Sequence, residues 1–276
     1  GEIAARLSGG YMSGWTVPYS SGLDITAAAL TLALGGSPRL HTCGKDFFAV
    51  PLKQNCPFVS AERAWISIPG RVAAVCGLDA ARAVPFVKDV FPRAGVGDTV
   101  TFPRNNVEKC GNVLSSAESY DEAVKASMEA VQKIFLRLER ANNKTNLFFE
   151  KTNPSIAVQG NYPPNFFKFP EDDSTKEIKN KAFDELLKNS ILAEEDEILY
   201  PSFFKDFLDK AFDVHGLSIR KAIKQAFFLE PKLKEKMLTL QTIGEPLNPS
   251  LVLWWKYFIR GSRQGLIYYL DTELND

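Results

Sequence analysis

Glu2-Ile3-Ala4-Ala5-Arg6-Leu7-Ser8-Gly9-Gly10 opens the chain and decides how the rest of it is read. If residues 2–6 form a strand, alternation places Glu2, Ala4 and Arg6 on one face. Glu2 then offers hard carboxylate oxygens suited to Mg²⁺, and Arg6 a planar fork of donors suited to phosphate or an acyl phosphate. Gly9 and Gly10 let the chain turn sharply and bring amides close to an anion. The competing reading is a Glu–Arg pair at i, i+4 on a helix surface. The Gly-Gly pair argues against it, because it ends any helix almost at once. Spacing alone reaches an anion or metal site at the extreme N-terminus, as if the end of an enzyme stood without its beginning.

The same residues carry a resemblance. Residues 2–10, then Asp24 and the run Ala27-Ala28-Ala29-Leu30-Thr31-Leu32-Ala33-Leu34-Gly35, resemble the last part of the catalytic core of an ATP-grasp enzyme. In that superfamily a late strand carries Glu-x-Asn-x-Arg or a close variant. The resemblance implies that Glu2 binds Mg²⁺ bridging the ATP phosphates. It makes Arg6 the stabiliser of the transferred phosphoryl group and acyl phosphate, and it puts the following helix under the site. Ala4 departs from the pattern, since many members have a metal-touching asparagine there. Some branches also carry alanine there, so the resemblance holds while it leaves the second metal ligand open.

Downstream order extends the likeness. Residues 61–77 read as two strands joined at Pro69-Gly70, Val84 to Arg93 as another, and residues 95–100 as a turn with a short strand. Ser119-Tyr120-Asp121-Glu122-Ala123 opens a helix expected to run from Asp121 to about Arg140, with an apolar stripe through Val131, Ile134, Phe135 and Leu138. Residues 146–150 read as a short final strand. The succession Gly-Arg-Val, Gly-Leu-Asp-Ala-Ala, Val-Gly-Asp-Thr-Val and Gly-Asn-Val-Leu-Ser-Ser is similar to the C-terminal subdomain of the L-amino acid ligase branch. The likeness covers about the first half of the chain.

Composition narrows the alternatives. The 276 residues allow about two domains and a sizeable core. With 33 basic and 33 acidic residues there is no broad positive field for nucleic acid or anionic lipid. No apolar run is long and uncharged enough to span a bilayer. Cys43, Cys56, Cys76 and Cys110 are scattered, which suits reduced thiols in a cytoplasmic protein. His41, Cys43 and Cys56 lack a fourth ligand for zinc. Asn143-Lys144-Thr145 matches a glycosylation sequon, read as chance in the absence of a secretory signal.

The organisation changes near residue 150, giving expected domains of 1–150 and 151–276. Residues 153–170 read mostly as a loop packed through Phe166, Phe167 and Phe169. Helices are then expected over 174–189, from Pro201 to about Val214, over 218–229, 232–240 and 251–259, and finally 262–274. The last two carry Trp254, Trp255, Tyr257, Tyr268 and Tyr269, interrupted by Lys256, Arg260 and Arg263. That stretch reads as core, with a docking surface as the alternative. His215 reads as a contact at a helix end, with a general base as the alternative. No family resemblance reaches residues 151–276.

The fold class expected is α+β: the C-terminal part of an ATP-grasp core, an antiparallel sheet with helices, followed by an all-helical lobe. The resemblance implies an ATP-dependent carboxylate–amine ligase using ATP and Mg²⁺, with small carboxylate and amine substrates. The phosphate-binding glycine loop, its lysine and an earlier acidic ligand would lie in a missing N-terminal region, so this chain alone is expected to be inactive. Glu2 and Arg6 are the expected metal and nucleotide residues. Ser8, Gly9, Gly10, Tyr11 and Ser13, with Trp15 beyond them, are expected to line the substrate side. The alternative is a non-catalytic binding or oligomerisation module, homodimeric or docking a partner through its helical lobe, without nucleic acid or membrane.

Overall fold

The computed structural model describes residues 6–38, 57–150, 166–170, 190–192, 198–241 and 248–273. Helices and antiparallel sheets alternate through them, an α+β architecture. The chain forms two compact units, each assembled from separated stretches.

The first unit comprises Gly1–Trp65, Gly77–Arg93 and Gly111–Ile134. Its centre is a sheet of β1 (Val59–Trp65), β5 (Gly111–Ala117) and β3 (Val87–Pro92) in the order β1-β5-β3, all antiparallel. β5 is buried along its whole length, as befits the middle strand. α4 (Tyr120–Lys133) lies on one face, where Ala61, Ala117 and Ala123 form a small-residue contact with Val59 and Val124. Ser119 caps α4: its hydroxyl accepts from the Glu122 amide at 3.3 Å and donates to the Glu122 carboxylate at 2.7 Å. α3 (Leu78–Arg82) packs against α4 and β3. α1 (Val17–Ser21) and α2 (Ile25–Ala33) precede the sheet, and Asp24 caps α2 by accepting from the Ala27 amide at 2.8 Å.

The second unit comprises Ile66–Cys76, Ala94–Cys110 and Phe135–Asp276. β2 (Gly70–Cys76) is flanked by β4 (Thr99–Val100) and β6 (Phe135–Leu138), both antiparallel to it. The Pro69-Gly70 junction thus leads from β1 into a different sheet and makes no hairpin. The helix expected to reach Arg140 ends at Lys133, and residues 135–138 are β6. Buried Leu136 and Leu138 alternate with half-buried Phe135 and Arg137, a period that pairing with β2 satisfies. Residues 146–150 are no strand either. They belong to α5 (Asn143–Glu150), started by the Asn142 side chain accepting from the Lys144 amide at 3.0 Å. Thr145 of the sequon is buried and donates to the Pro69 carbonyl at 2.8 Å, a packing role.

The all-helical expectation for the second half is corrected. β7 (Phe167–Lys168) pairs with β10 (Phe212–Asp213), and β8 (Ser190–Leu192) with β9 (Leu199–Pro201). The stretch expected as a helix from Pro201 to Val214 is β9, a 3₁₀ turn at Ser202–Phe204, further turns and β10. Phe204 and Phe207 reach the core from those turns. The helix expected over 174–189 lies outside the described residues. α6 (Ile219–Leu229), capped by Ser218, and α7 (Pro231–Leu240), opened by a proline, stand where the sequence placed them. α8 (Pro249–Glu273) contains both expected terminal helices, broken at Ser262 by φ 51°, ψ −146°. Trp254, Trp255, Phe258, Ile259 and Tyr269 are buried in one cluster with α6 and α7, so the aromatic stretch is core. Arg260 and Arg263 are buried with it.

Arg137 ties this unit together. Its guanidinium pairs with Glu230 at the start of α7 and, at 2.6 Å, with Asp271 near the end of α8. Among the described residues no helix is long and apolar enough to cross a membrane.

Candidate functional site

Residues 6–21 form a segment laid on the face of the β1-β5-β3 sheet opposite α4. Cross-strand register defines that face: Ser60 opposite Ser116, then Glu62–Leu114–Asp89, then Ala64–Asn112–Phe91. It is polar for a buried surface, and the Asn112 amide donates to Glu62 at 2.6 Å. The Ser60 hydroxyl donates to the Thr16 carbonyl at 2.6 Å, and the Ser116 hydroxyl to the Tyr19 carbonyl at 3.3 Å. Tyr19 donates its phenolic proton to the Asp89 carboxylate. Burial, and then the Asp89 carboxylate, push the Tyr19 phenol up to about 12. The Tyr11 ring stacks on Phe91 (centroids 4.7 Å apart, planes 6° apart), and Trp15 meets both rings edge-on.

The expected site residues fall on this segment as follows. Glu2 lies outside the described residues, as do His41, Cys43 and Cys56. Arg6 sits in an exposed bend, where its guanidinium donates to the Leu7 carbonyl at 3.2 Å. Ser8, Gly9 and Gly10 follow in an exposed turn, and Gly10 takes φ +67°, a left-handed conformation that glycine enters without penalty. Ser13 is buried, and its hydroxyl donates back to the Ser8 carbonyl at 2.9 Å, which pins the turn. Residues 12–16 are a π-helical turn, closed by the Thr16 amide donating to the Tyr11 carbonyl at 2.9 Å. Such i→i+5 turns recur at functional sites. The Thr26 hydroxyl of α2 donates to the Ser13 carbonyl at 3.3 Å, so α2 contacts the π-helical turn. Leu30, Leu32 and Leu34 on or just beyond α2 remain exposed.

Tyr19, Glu62, Asp89, Phe91 and Asn112 were not singled out from sequence. Only strand alternation in β1, β3 and β5 combined with their register could have put the last four on one face, and Tyr19 reaches Asp89 from α1 through tertiary packing.

These groups divide chemically. An exposed guanidinium beside a Gly-Gly turn suits the phosphate side of a nucleotide or acyl phosphate. Among the described residues no group of three or more His, Cys, Asp or Glu side chains converges as a metal site.

His215, in the second unit, is no general base. It is half-buried, and its Nε2 accepts from the Ile66 amide at 3.3 Å. Asp213 organises the turn around it, accepting from the His215 and Leu217 amides (both 2.9 Å) and from the Ser262 hydroxyl at 2.7 Å. Burial pulls the imidazole down to about 4, partly opposed by Asp213 and reinforced by Arg263. The folded value lies below the unfolded one, near 6.5. The neutral ring's contribution is therefore complete above pH 6.5 and is lost as pH falls through 4. A depression of that size corresponds to about 3 kcal/mol. The unfolding free energy from urea melts is expected to fall between pH 7 and pH 4 by about 3 kcal/mol, and His215→Gln to flatten the profile. A wild-type profile parallel to that of His215→Gln would contradict this assignment.

Residues 64–139 match the family model of L-amino acid ligase C-terminal domain 2. The segment is the one in which the strand and glycine order resembled that branch. No curated protein matches the chain. Among solved structures, the crystal structure of L-amino acid ligase from Bacillus licheniformis is similar over 49% of this chain and 31% of its own length, at 18% identity and a TM-score of 0.40. The chain thus spans about a third of that ligase.

Proposed function

We propose that this chain is the C-terminal part of an ATP-dependent carboxylate–amine ligase of the ATP-grasp type, contributing one side of its nucleotide and acyl-phosphate site. The observation that carries the reading is the family match over residues 64–139, in the same chain as the Glu2–Gly10 motif and following it in sequence. In this reading residues 1–150 carry the ligase-related part and residues 151–276 a distinct lobe.

ATP with Mg²⁺ would supply the phosphoryl group that turns a carboxylate into an acyl phosphate open to attack by an amine. Arg6 faces the charge that builds on the phosphoryl oxygens, and its planar fork can hold two of them. The Ser8–Gly10 turn, pinned by Ser13, offers amides to an anionic oxygen and leaves room for close approach. Tyr11 and Trp15, braced on Phe91, border that turn with aromatic surface on the substrate side. Glu2 completes the set as the Mg²⁺ ligand. The alternative of a partner-docking module drew on the aromatic run of the last helices, and that run is buried.

The first test is direct. Incubated alone with ATP, Mg²⁺ and a panel of amino acids, the chain is expected to release no carboxylate-dependent phosphate. Joined behind the ATP-binding part of an L-amino acid ligase, it is expected to restore release that depends on both a carboxylate and an amine. Turnover by the isolated chain, or a joined protein that binds ATP and never turns over, would overturn the reading.

A further inference from the structure

The turn that carries Arg6 has little of its own to hold it. An added Cβ at Gly9 or Gly10 would meet no atom within 4 Å, so the turn stands open. The helical pieces behind it are five residues each, far too short to be stable alone. Its position must be imposed from the sheet.

We infer that Tyr19 and Asp89 form a clamp that positions the Arg6–Gly10 turn over the polar face of the first sheet, and that both are positioning residues for the site. The inference rests on the ligase reading for what the turn does, but its geometry stands independently. A continuous line of bonds runs from clamp to turn. Asp89 on β3 accepts from the Tyr19 phenol, 70 residues away in sequence. Phe91, two residues along the same strand face, carries the Tyr11 ring. Between them the Ser60 hydroxyl holds the Thr16 carbonyl and Ser116 holds that of Tyr19. Thr16 returns its amide to the Tyr11 carbonyl and its hydroxyl to that of Met12 at 3.1 Å. Ser13 then passes the constraint to the Ser8 carbonyl. Removing the phenol–carboxylate bond leaves neutral hydroxyl contacts, the Phe58 amide's bond to the Ser20 carbonyl at 3.4 Å and ring stacking to hold a segment whose helical turns are too short to stand alone.

The clamp is tested on the whole chain by amide hydrogen exchange. The Trp15 and Thr16 amides, both bonded to the Tyr11 carbonyl, report on the segment, and Val113 and Leu114 of β5 report on the sheet. Tyr19→Phe and Asp89→Ala are expected to speed exchange at Trp15 and Thr16 at least tenfold while Val113 and Leu114 stay within twofold. Asp89→Asn, which keeps an acceptor oxygen, is expected to stay near the parent. Unchanged exchange at Trp15 and Thr16 in both loosening variants would overturn the inference. So would a rise shared equally by the sheet, which marks general destabilisation. The ligase reading fails or stands on phosphate release, so the two results are separable.

Discussion

Gly77→Ala is expected to destabilise the first unit by about 2–5 kcal/mol, a large part of the stability of an ordinary domain. Gly77 stands between β2 and α3 at φ +81°, where a side chain costs about 1–2 kcal/mol by itself. An added methyl would also run into the Lys133 carbonyl oxygen at the end of α4, with the Lys133 carbonyl carbon at 2.9 Å and Ile134 Cα at 3.5 Å. These are backbone atoms and cannot swing aside as a rotamer would, so overpacking adds about 1–3 kcal/mol. The junction of α3 with α4 must then open. Gly9→Ala, whose new methyl meets open space, serves as the control and is expected to leave the urea midpoint unchanged. A loss under about 1 kcal/mol for Gly77→Ala would mean that the α3–α4 junction is looser than described.

Arg6→Ala is expected to lower turnover of an active polypeptide carrying this chain by about 10²–10³-fold, the range for losing one preorganised donor to a developing charge. The argument joins chemistry to exposure. Arg6 is solvent-facing, and its described bond goes to the adjacent Leu7 carbonyl, so the fold does not depend on it. Its loss should leave thermal unfolding where it was. Arg6→Lys retains charge but not the bidentate fork, and recovery is expected to be partial. Turnover within threefold of the parent for Arg6→Ala would remove Arg6 from the site, while a parallel fall in melting temperature would recast it as structural.

Local signals were legible and pairing was not. Ser119 before Asp-Glu, Ser218 before an amphipathic run and Pro231 at a helix start each placed a helix that the coordinates contain. Alternation placed β1 and β2, yet nothing local says that they belong to different sheets. The longest misreading, the overextended helix through Arg140, has a specific cause. Val131, Ile134, Phe135 and Leu138 lie at spacings that suit a helical stripe, and Phe135 to Leu138 equally alternate. Only the partner strand β2 resolves the two periods. The Phe203–Phe207 stretch misled similarly, since turns held by the core put those rings inward without a helix. At the candidate site, the Arg6–Gly10 motif was readable because it is contiguous. Its supports were not, because Asp89 and Asn112 share a face only through strand register, and Tyr19 reaches Asp89 from α1, 70 residues away in sequence.

The break at Ser262 also governs how far one element can reach. An unbroken rod of the 25 residues from Pro249 to Glu273 would extend about 37 Å, beyond the span of a single small core. Half its aromatic cargo would then project into water. Interrupting the ladder once, with the Asp213 carboxylate receiving the Ser262 hydroxyl at the elbow, lets Trp254 and Phe258 before the bend and Ile267 and Tyr269 after it share one dry interior.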